Sequence, residues 1–341
     1  MTVRLTRRHA LGALGASAAL AGTGLYAPAR AASKVTVGAL RFTSHAASFV
    51  AYERGYFKEA GLDVDFRFFQ AAQPMAVAIA SRDADFGVTA ISGGLISLAE
   101  KGAAKVIGGA LQEEQGVDGQ MILASVAAYD QGVTTPARLG GRNFGITTAG
   151  SSFHYMGSKI AAAEGIDDLK FKPLQKVGAV IGALKSSQID AWSIVPHIGK
   201  ALVGGGAVKH IGMVADYIPD YQVTTVFTSA QNAANEKAKT EAFLAAFARG
   251  AADFNAALVD RTEGDDGAEA MTRLIHKYVY ADQPYEKASR SIVNGAMRIN
   301  AGAALNMDSI GDQLSWFKSE GLVKDEVSME MLVDDSYVDT L

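Results

Sequence analysis

Through the first two thirds of the chain, short apolar runs alternate with stretches whose apolar residues recur at three- and four-residue spacing. Lys34–Phe42 alternates and predicts a first strand, and Ala46–Glu59 carries the helical spacing and closes at Gly61. Asp63–Phe69, Asp85–Thr89 and Lys105–Leu111 predict further strands. Between them lie helices over Met75–Ser81, with Pro74 at its start, and Leu95–Lys101. The order β-α-β-α-β-α-β predicts a parallel sheet covered by helices. After a strand over Gln120–Ser125 and a turn-rich connection over Val133–Leu139, Asn143–Thr147 opens a second βα series. Its helix follows the polar turn Thr148–Ser152, with Tyr155, Met156, Ile160 and Ala163 on one face and Gly165 as the stop. Phe171–Val177, Ile189–Ile194 and Lys209–Val214 predict strands; Gly178–Ser186 and Pro196–Leu202 predict helices, the second stopped by Gly204–Gly206. Tyr221–Thr228 is rich in β-branched residues and returns the chain. From Asn232 onward the spacing is mainly helical, over Glu236–Leu258, Ala268–Tyr278, Tyr285–Asn300 and Met307–Glu320.

Two βα series joined by two crossing strands imply an α/β protein of two lobes with a cleft between them. One lobe takes residues 34–118 and 230–341, including the helical tail, and the other residues 119–229. Ligands of open α/β sheets sit beyond the carboxyl ends of the strands, which draws attention to the loops after each strand. Thr147–His154 is the most informative of these. Its helix begins in small hydroxyl residues with no acid among them, so the first N–H groups and the positive end of the dipole are free to meet an anion. The alternative is that Ser151 or Ser152 does no more than cap the helix.

Residues 1–31 have a different character. Arg4, Arg7 and Arg8 precede an uncharged, small and apolar run over Ala10–Leu25, and Ala29-Arg30-Ala31 has the A-x-A form of a cleavage site. Thr6–Leu11 resembles a twin-arginine export signal, with the general secretory route as the alternative. The run is too short and too weakly apolar for an anchor, and no later segment is expected to span a membrane. The chain is therefore expected to be exported to the periplasm, cleaved near Ala31 and soluble. The remainder, about 310 residues, carries no cysteine, and loss of the four leader arginines takes the formal charge from −4 to about −8. No basic patch with interleaved aromatics suggests nucleic acid. No histidine pair has metal-ligand spacing, so no metal is expected.

Several local patterns occur in a fixed order. Gly55-Tyr56-Phe57 leads into Gly61-Leu62-Asp63-Val64, and Asp85-Phe86-Gly87 follows a small-residue helix. Ala137–Arg142 precedes the second series, then come Gly150-Ser151-Ser152, Glu164-Gly165-Ile166, and Ile189-Asp190-Ala191-Trp192 with Pro196 behind. Over roughly Lys34–Gly206 this order resembles the periplasmic solute-binding proteins of ABC importers, in the group that binds nitrate, sulfonates, taurine and the thiamine pyrimidine. The resemblance implies the type II periplasmic binding protein fold, two α/β lobes on a two-strand hinge that close on a ligand. It implies a monomeric binding protein without cofactor or catalysis that hands a small solute to an ABC permease and its ATPase. It points to Ser44, His45, Gln70, Ser92, Gly150, Ser151, Ser152 and Trp192 as ligand contacts, and His154 joins them by its place in the first turn of the helix that follows. His197 is an alternative cap or contact, Trp192 either packs in the core or stacks on ligand, and Phe153 is expected in the core. No arginine lies in the cleft loops, which disfavours nitrate or a sulfonate and suits an organic carboxylate or a heterocycle stacked on aromatic rings.

Two enzyme readings compete. Ala90–Gly94 follows a strand and precedes a helix as a nucleophile elbow does, which would make Ser92 the nucleophile of an exported serine hydrolase. A thiamine-pyrimidine synthase shares the fold, but its cysteine-rich motif has no counterpart in a chain without cysteine.

Overall fold

The computed structural model describes residues 32–341. The export leader expected over residues 1–31 lies outside them. In chain order the first sheet and its helices are β1 (Ser33–Ala39), α1 (Ala46–Glu53), α2 (Tyr56–Glu59), β2 (Leu62–Phe68), α3 (Ala72–Ala80), β3 (Phe86–Thr89), α4 (Gly93–Glu100) and β4 (Ala104–Gly109). The second group is β5 (Met121–Ser125), α5 (Val126–Asp130), β6 (Asn143–Ile146), α6 (Ser152–Ala163), β7 (Lys170–Pro173), α7 (Val177–Lys185), β8 (Ala191–Ile194), α8 (Pro196–Gly204) and β9 (Val208–Met213). The chain then returns through β10 (Thr225–Ser229) to α9 (Ala230–Asn235), α10 (Lys237–Phe254), α11 (Gly264–His276), α12 (Tyr285–Val293), α13 (Met307–Ser319) and α14 (Met329–Leu332).

The two sheets are built alike. Their strand orders are β2-β1-β3-β10-β4 and β7-β6-β8-β5-β9. In each, a βαβ core is parallel, and the fourth strand is the one that has just crossed from the other sheet, lying antiparallel to both neighbours. Both sheets are therefore mixed. Their central strands are apolar on both faces because helices cover both: β3, β5, β8 and β10 are buried at every position. Thr225–Ser229, placed by the sequence reading with the second lobe, is a strand of the first sheet.

The remaining differences have local causes. The helix expected over Ala46–Glu59 is two helices, because Gly55 takes a left-handed φ of +79° that only glycine adopts without strain. Tyr285–Asn300 stops being helical at Val293, and Arg298–Asn300 instead lies extended beside the first crossing segment. The α10 helix continues through a wider turn, Asn255–Val259, into 23 residues apolar enough to cross a membrane by length and composition. The sequence reading found no such segment after the leader. More than half of its most apolar window is buried in this fold. Phe243 of α10 stacks on Phe86 of β3 at 4.1 Å and on Phe57 of α2 at 5.2 Å. A Cβ on Gly250 would collide with the Ala47 carbonyl oxygen, so glycine is what lets α10 lie directly on α1.

The two sheets are connected by Ala110–Gln120 and Val214–Thr224. These segments pair with each other: the Glu113 N–H donates to the Tyr221 oxygen (2.9 Å) and the Val223 N–H to the Leu111 oxygen (2.8 Å). The tail adds a third extended piece, with the Asn300 N–H donating to the Ala110 oxygen (2.8 Å). Gln222, fully buried, ties the three together. Its Nε2 donates to the Leu111 and Thr224 oxygens, and its Oε1 accepts from Asn300 Nδ2 (3.0 Å) and the Asn306 N–H (3.1 Å). The tail also touches both sheets' helices: α10 packs on α1 and α14 on α4 at the first sheet, and α12 on α8 and α13 on α6 at the second, where Tyr155 donates to Asp312. Replacing Gln222 with leucine keeps the volume but removes these four hydrogen bonds around Gln222, at roughly 0.5–1.5 kcal/mol each. Gln222→Leu is expected to lose about 3 kcal/mol in urea unfolding, and a loss below about 1 kcal/mol would remove this residue from the centre of the crossing.

Candidate functional site

The carboxyl ends of the two sheets face each other, so the loops that lead into helices meet in one place. A chamber of about 60 Å³ lies there, walled by Ser44, His45, Thr89 and Ala90 from the first sheet, Thr147, Ser151, Ser152 and Phe153 from the second, and Gln120 and Thr224 from the crossing segments. The volume admits a group of a few heavy atoms. None of its wall residues is Lys, Arg, Asp or Glu. Six helices start at or next to it: α1, α3, α4, α6, α7 and α8. None carries an acid in its first turn, whereas α11, α12, α13 and α14 in the tail all do. Helices α11 to α14 thus neutralise their own N-terminal dipoles, as α9 and α10 of the tail do not, while the helices at the chamber leave that positive potential available.

The wall residues are held in defined states. Leu40 donates its N–H to His45 Nδ1 (3.4 Å), which assigns the proton to Nε2. Burial lowers the His45 pKa to about 3, so the ring is a neutral donor at physiological pH. Ser151 and Gln120 are both buried, and Ser151 Oγ and Gln120 Nε2 have no hydrogen-bond partner. Buried polar atoms are rarely left in this state unless another species meets them. Beneath Gln120 sits Glu113, fully buried, whose Oε1 accepts the Gln120 N–H (3.0 Å) and whose Oε2 is unpartnered. Burial pushes its carboxyl up to about 7, against the pull of the hydrogen bonding from Gln120.

A second, larger cavity of about 580 Å³ adjoins the chamber. Leu40, Phe42 and Val177 wall both spaces. Apart from Arg41, Gln70 and His197 its lining is apolar or aromatic, including Phe68, Phe69, Ile181 and Tyr280. Arg41, expected inside the first strand, lies in the loop beyond the end of β1 and walls this cavity, so the cleft loops are not free of arginine, contrary to expectation. Its guanidinium lies 3.8 Å over the Phe68 ring and donates to the Tyr278 oxygen. His197 is buried with both ring nitrogens unpartnered. Burial and the neighbouring His45 lower its pKa to about 3. The Phe42 ring stands between the two imidazoles, edge-on to His45 at 6.0 Å and to His197 at 5.5 Å.

Of the nine residues singled out from sequence, Ser44, His45, Ser151 and Ser152 wall the chamber and Gln70 walls the larger cavity. The other four lie nearby without lining either. Ser92 caps α4, its Oγ accepting the Leu95 N–H (3.2 Å). The Gly150 oxygen accepts the Gly93 N–H across the cleft (2.9 Å), so the two sheets meet directly there. His154 Nδ1 accepts the Gly150 N–H, and its ring packs against Phe171 and Trp316. Trp192 is fully buried in β8, and Phe153, expected in the core, reaches the chamber in front of it at 5.3 Å. Gln120, Thr89, Thr147 and Thr224 were not among the expected contacts. Gln120 starts a predicted strand and Thr224 falls in the middle of another, where the pattern alone does not give the direction of a polar side chain, and only the crossing of the two segments turns them inward.

A family model described as NMT1/THI5 like matches residues 42–257, which takes in nearly the whole chamber. The chain belongs to the NMT1/THI5-like family. Solved structures share the fold of this NMT1/THI5-like chain. The alkanesulfonate-binding protein SsuA of Xanthomonas axonopodis pv. citri, bound to MOPS, matches at TM-score 0.69 and 15% identity over 89% of this chain and 99% of that one. The periplasmic nitrate-binding protein NrtA of Synechocystis PCC 6803 matches at 0.67 and 14%, over 88% and 84%. The desulfurization enzyme DszB matches at 0.61 and 14%, over 89% and 97%. At these identities the likeness is one of fold, the periplasmic binding protein fold expected from the sequence. Curated protein sequences give no match.

The Glu113 carboxyl makes stability depend on pH. Its folded pKa is raised, so its contribution is fully present below the ordinary carboxylate value of 4.5 and is lost as pH rises through about 7. At about 1.4 kcal/mol per pH unit the loss reaches roughly 3 kcal/mol by pH 8. His45 and His197 act in the opposite sense below their ordinary 6.5. The measurement is therefore the difference between the wild type and Glu113→Gln in denaturant unfolding from pH 5 to pH 8. The variant is expected to gain on the wild type across this window; a pH-independent difference would show that Glu113 is ionised throughout.

Proposed function

We propose that this NMT1/THI5-like protein is an extracytoplasmic solute-binding protein of an ABC importer, which encloses a small organic solute between its two sheets and delivers it to a membrane permease and its ATPase. The chamber carries the reading. It is walled from both sheets and both crossing segments, it is uncharged, and it holds buried Ser151 and Gln120 atoms without partners. A solute there would be gripped by groups that come together only when the sheets close, with the crossing segments as the axis. The solved structures that share the fold include proteins named for alkanesulfonate and nitrate binding. The leader over residues 1–31 is consistent with export, and the protein is proposed to act as a monomer.

Binding without catalysis is also favoured by the chemistry, although one solved structure of this fold is an enzyme. The hydrolase alternative at Ser92 finds no support. Its hydroxyl is used as a helix cap, and among the described residues no histidine is hydrogen-bonded to a carboxylate that could orient it as a base.

The test is a thermal-shift screen of the full chain, refolded to strip carried-over ligand, against carboxylates, sulfonates, nitrate, pyrimidines and amides. A true ligand at a hundredfold excess over Kd stabilises by about 2.7 kcal/mol. Ser151→Ala is expected to weaken that ligand about tenfold, the worth of one hydrogen bond to a polar acceptor. Absence of any stabiliser, or a stabiliser indifferent to Ser151→Ala, Gln120→Ala and Ser44→Ala, would refute this site.

A further inference from the structure

We infer that the chamber and the larger cavity are two halves of one binding site, and that its ligand is an aromatic solute. Its acceptor end would occupy the chamber and its ring the larger cavity against His197. This rests on the binding reading above and specifies the ligand class.

Four observations converge. First, the sheets are already in contact at the chamber, through the Gly93–Gly150 hydrogen bond and a longer one of 3.5 Å from the Val177 N–H to the Gln70 oxygen. Yet about 580 Å³ remains open directly beside it, a volume typical of pockets that hold drug-sized molecules. A cleft shaped for an inorganic ion alone has no use for that space. Second, Leu40, Phe42 and Val177 wall both volumes, so the two spaces share a boundary that includes one aromatic ring. Third, the polarity is divided. The chamber offers the Ser44, Ser151 and Ser152 hydroxyls, the Gln120 amide and the His45 Nε2–H, all of which donate to an acceptor such as a carboxylate, amide or ring carbonyl. The larger cavity offers Phe68, Phe69, Ile181 and Tyr280, surfaces for a flat ring. Fourth, His197 is one of three polar residues in that wall, with Arg41 and Gln70, and it alone of the three is buried without a hydrogen-bond partner for its ring nitrogens. It is buried, held neutral and unpartnered at both nitrogens, so it has one donor and one acceptor for a polar atom on the ring.

The experiment compares matched probes by isothermal titration of the full chain: acetate against benzoate, and acetamide against nicotinamide. Each pair keeps the acceptor end and adds or removes the ring. The ring-bearing member is expected to bind at least tenfold more tightly. Ile181→Trp, on the wall of the larger cavity, is expected to bring that ratio close to one while leaving the ringless probe unchanged. Ala201→Trp, at an exposed rim position of the same cavity, serves the same purpose should the first variant fail to fold. Ser151→Ala is expected to weaken both members of a pair equally, leaving the ratio intact. Equal binding of ringed and ringless probes, or a ratio that neither tryptophan variant changes, overturns the inference while leaving solute binding in the chamber standing. Failure of all four probes overturns it too, and the binding reading then stands or falls on the wider thermal-shift panel.

Discussion

Six helices directing acid-free N-termini at one small volume is the constraint to which the rest of the fold answers. Each end carries donors that no intrahelical carbonyl can satisfy. Elsewhere in the chain, α11 places Asp265 and Asp266 in its first turn, α12 Glu286 and α13 Asp308. At the chamber the first two positions of the helices are alanine, glutamine, glycine, serine, phenylalanine, valine, proline and histidine. The potential is concentrated because both sheets are parallel in their βαβ cores, which puts every β-to-α loop on the same edge, and because the two edges face one another. A single sheet could focus only half of these helices on a ligand.

Two opposed edges need a connection that can bear load and still allow movement. Inserting each crossing strand fourth in the sheet it enters anchors the connection in two cores, while Leu111–Glu113 and Tyr221–Thr224 remain a narrow ribbon between them. The tail makes that ribbon wider and more polar than the sequence reading allowed. Asn300 and Asn306 both spend hydrogen bonds on the Gln222 amide, and α13 reaches α6 through Tyr155, Lys159 and Asp312. Any separation of the sheets therefore works against the tail as well as against the Gly93–Gly150 contact. The closed form is held by polar groups at the back of the cleft and by little more than one backbone hydrogen bond at its mouth.

The sheets were legible in the sequence because their strands are short apolar runs between glycine-marked turns, and the periodicity of α6 around Tyr155, Met156 and Ile160 is unambiguous. Ser44, His45, Ser151 and Ser152 were found because loops at strand carboxyl ends have a known direction. What stayed hidden depends on contacts between distant segments. Gln120 becomes a wall residue only because Glu113, seven residues back, turns its backbone. His197 faces the larger cavity because Gly295, from a tail with no readable motif, leaves room for the close approach of its backbone. Ser92 and His154 illustrate the converse, polar residues at cleft-facing positions whose bonding capacity is taken up by a helix cap or the Gly150 N–H, while Trp192 is buried in β8 behind Phe153. Position near a cleft is readable from pattern, but the direction of a side chain is not.

The charge of the ligand's polar end follows from what surrounds it. With no lysine or arginine in the chamber wall, an anion there would be balanced by N–H groups, hydroxyls and dipoles alone, an arrangement sufficient for one negative charge but without a fixed counter-ion. Glu113 makes the balance conditional. It lies directly behind Gln120, and its carboxyl is raised by burial to about 7. When it is ionised, a second negative charge in the chamber would meet it through a poorly screened interior. An anionic solute and an ionised Glu113 therefore disfavour each other, and binding such a solute favours the protonated carboxyl. An uncharged acceptor carries no such preference. The same buried carboxyl that narrows the range of pH in which the fold is most stable thus also works against a negative charge in the chamber as pH rises.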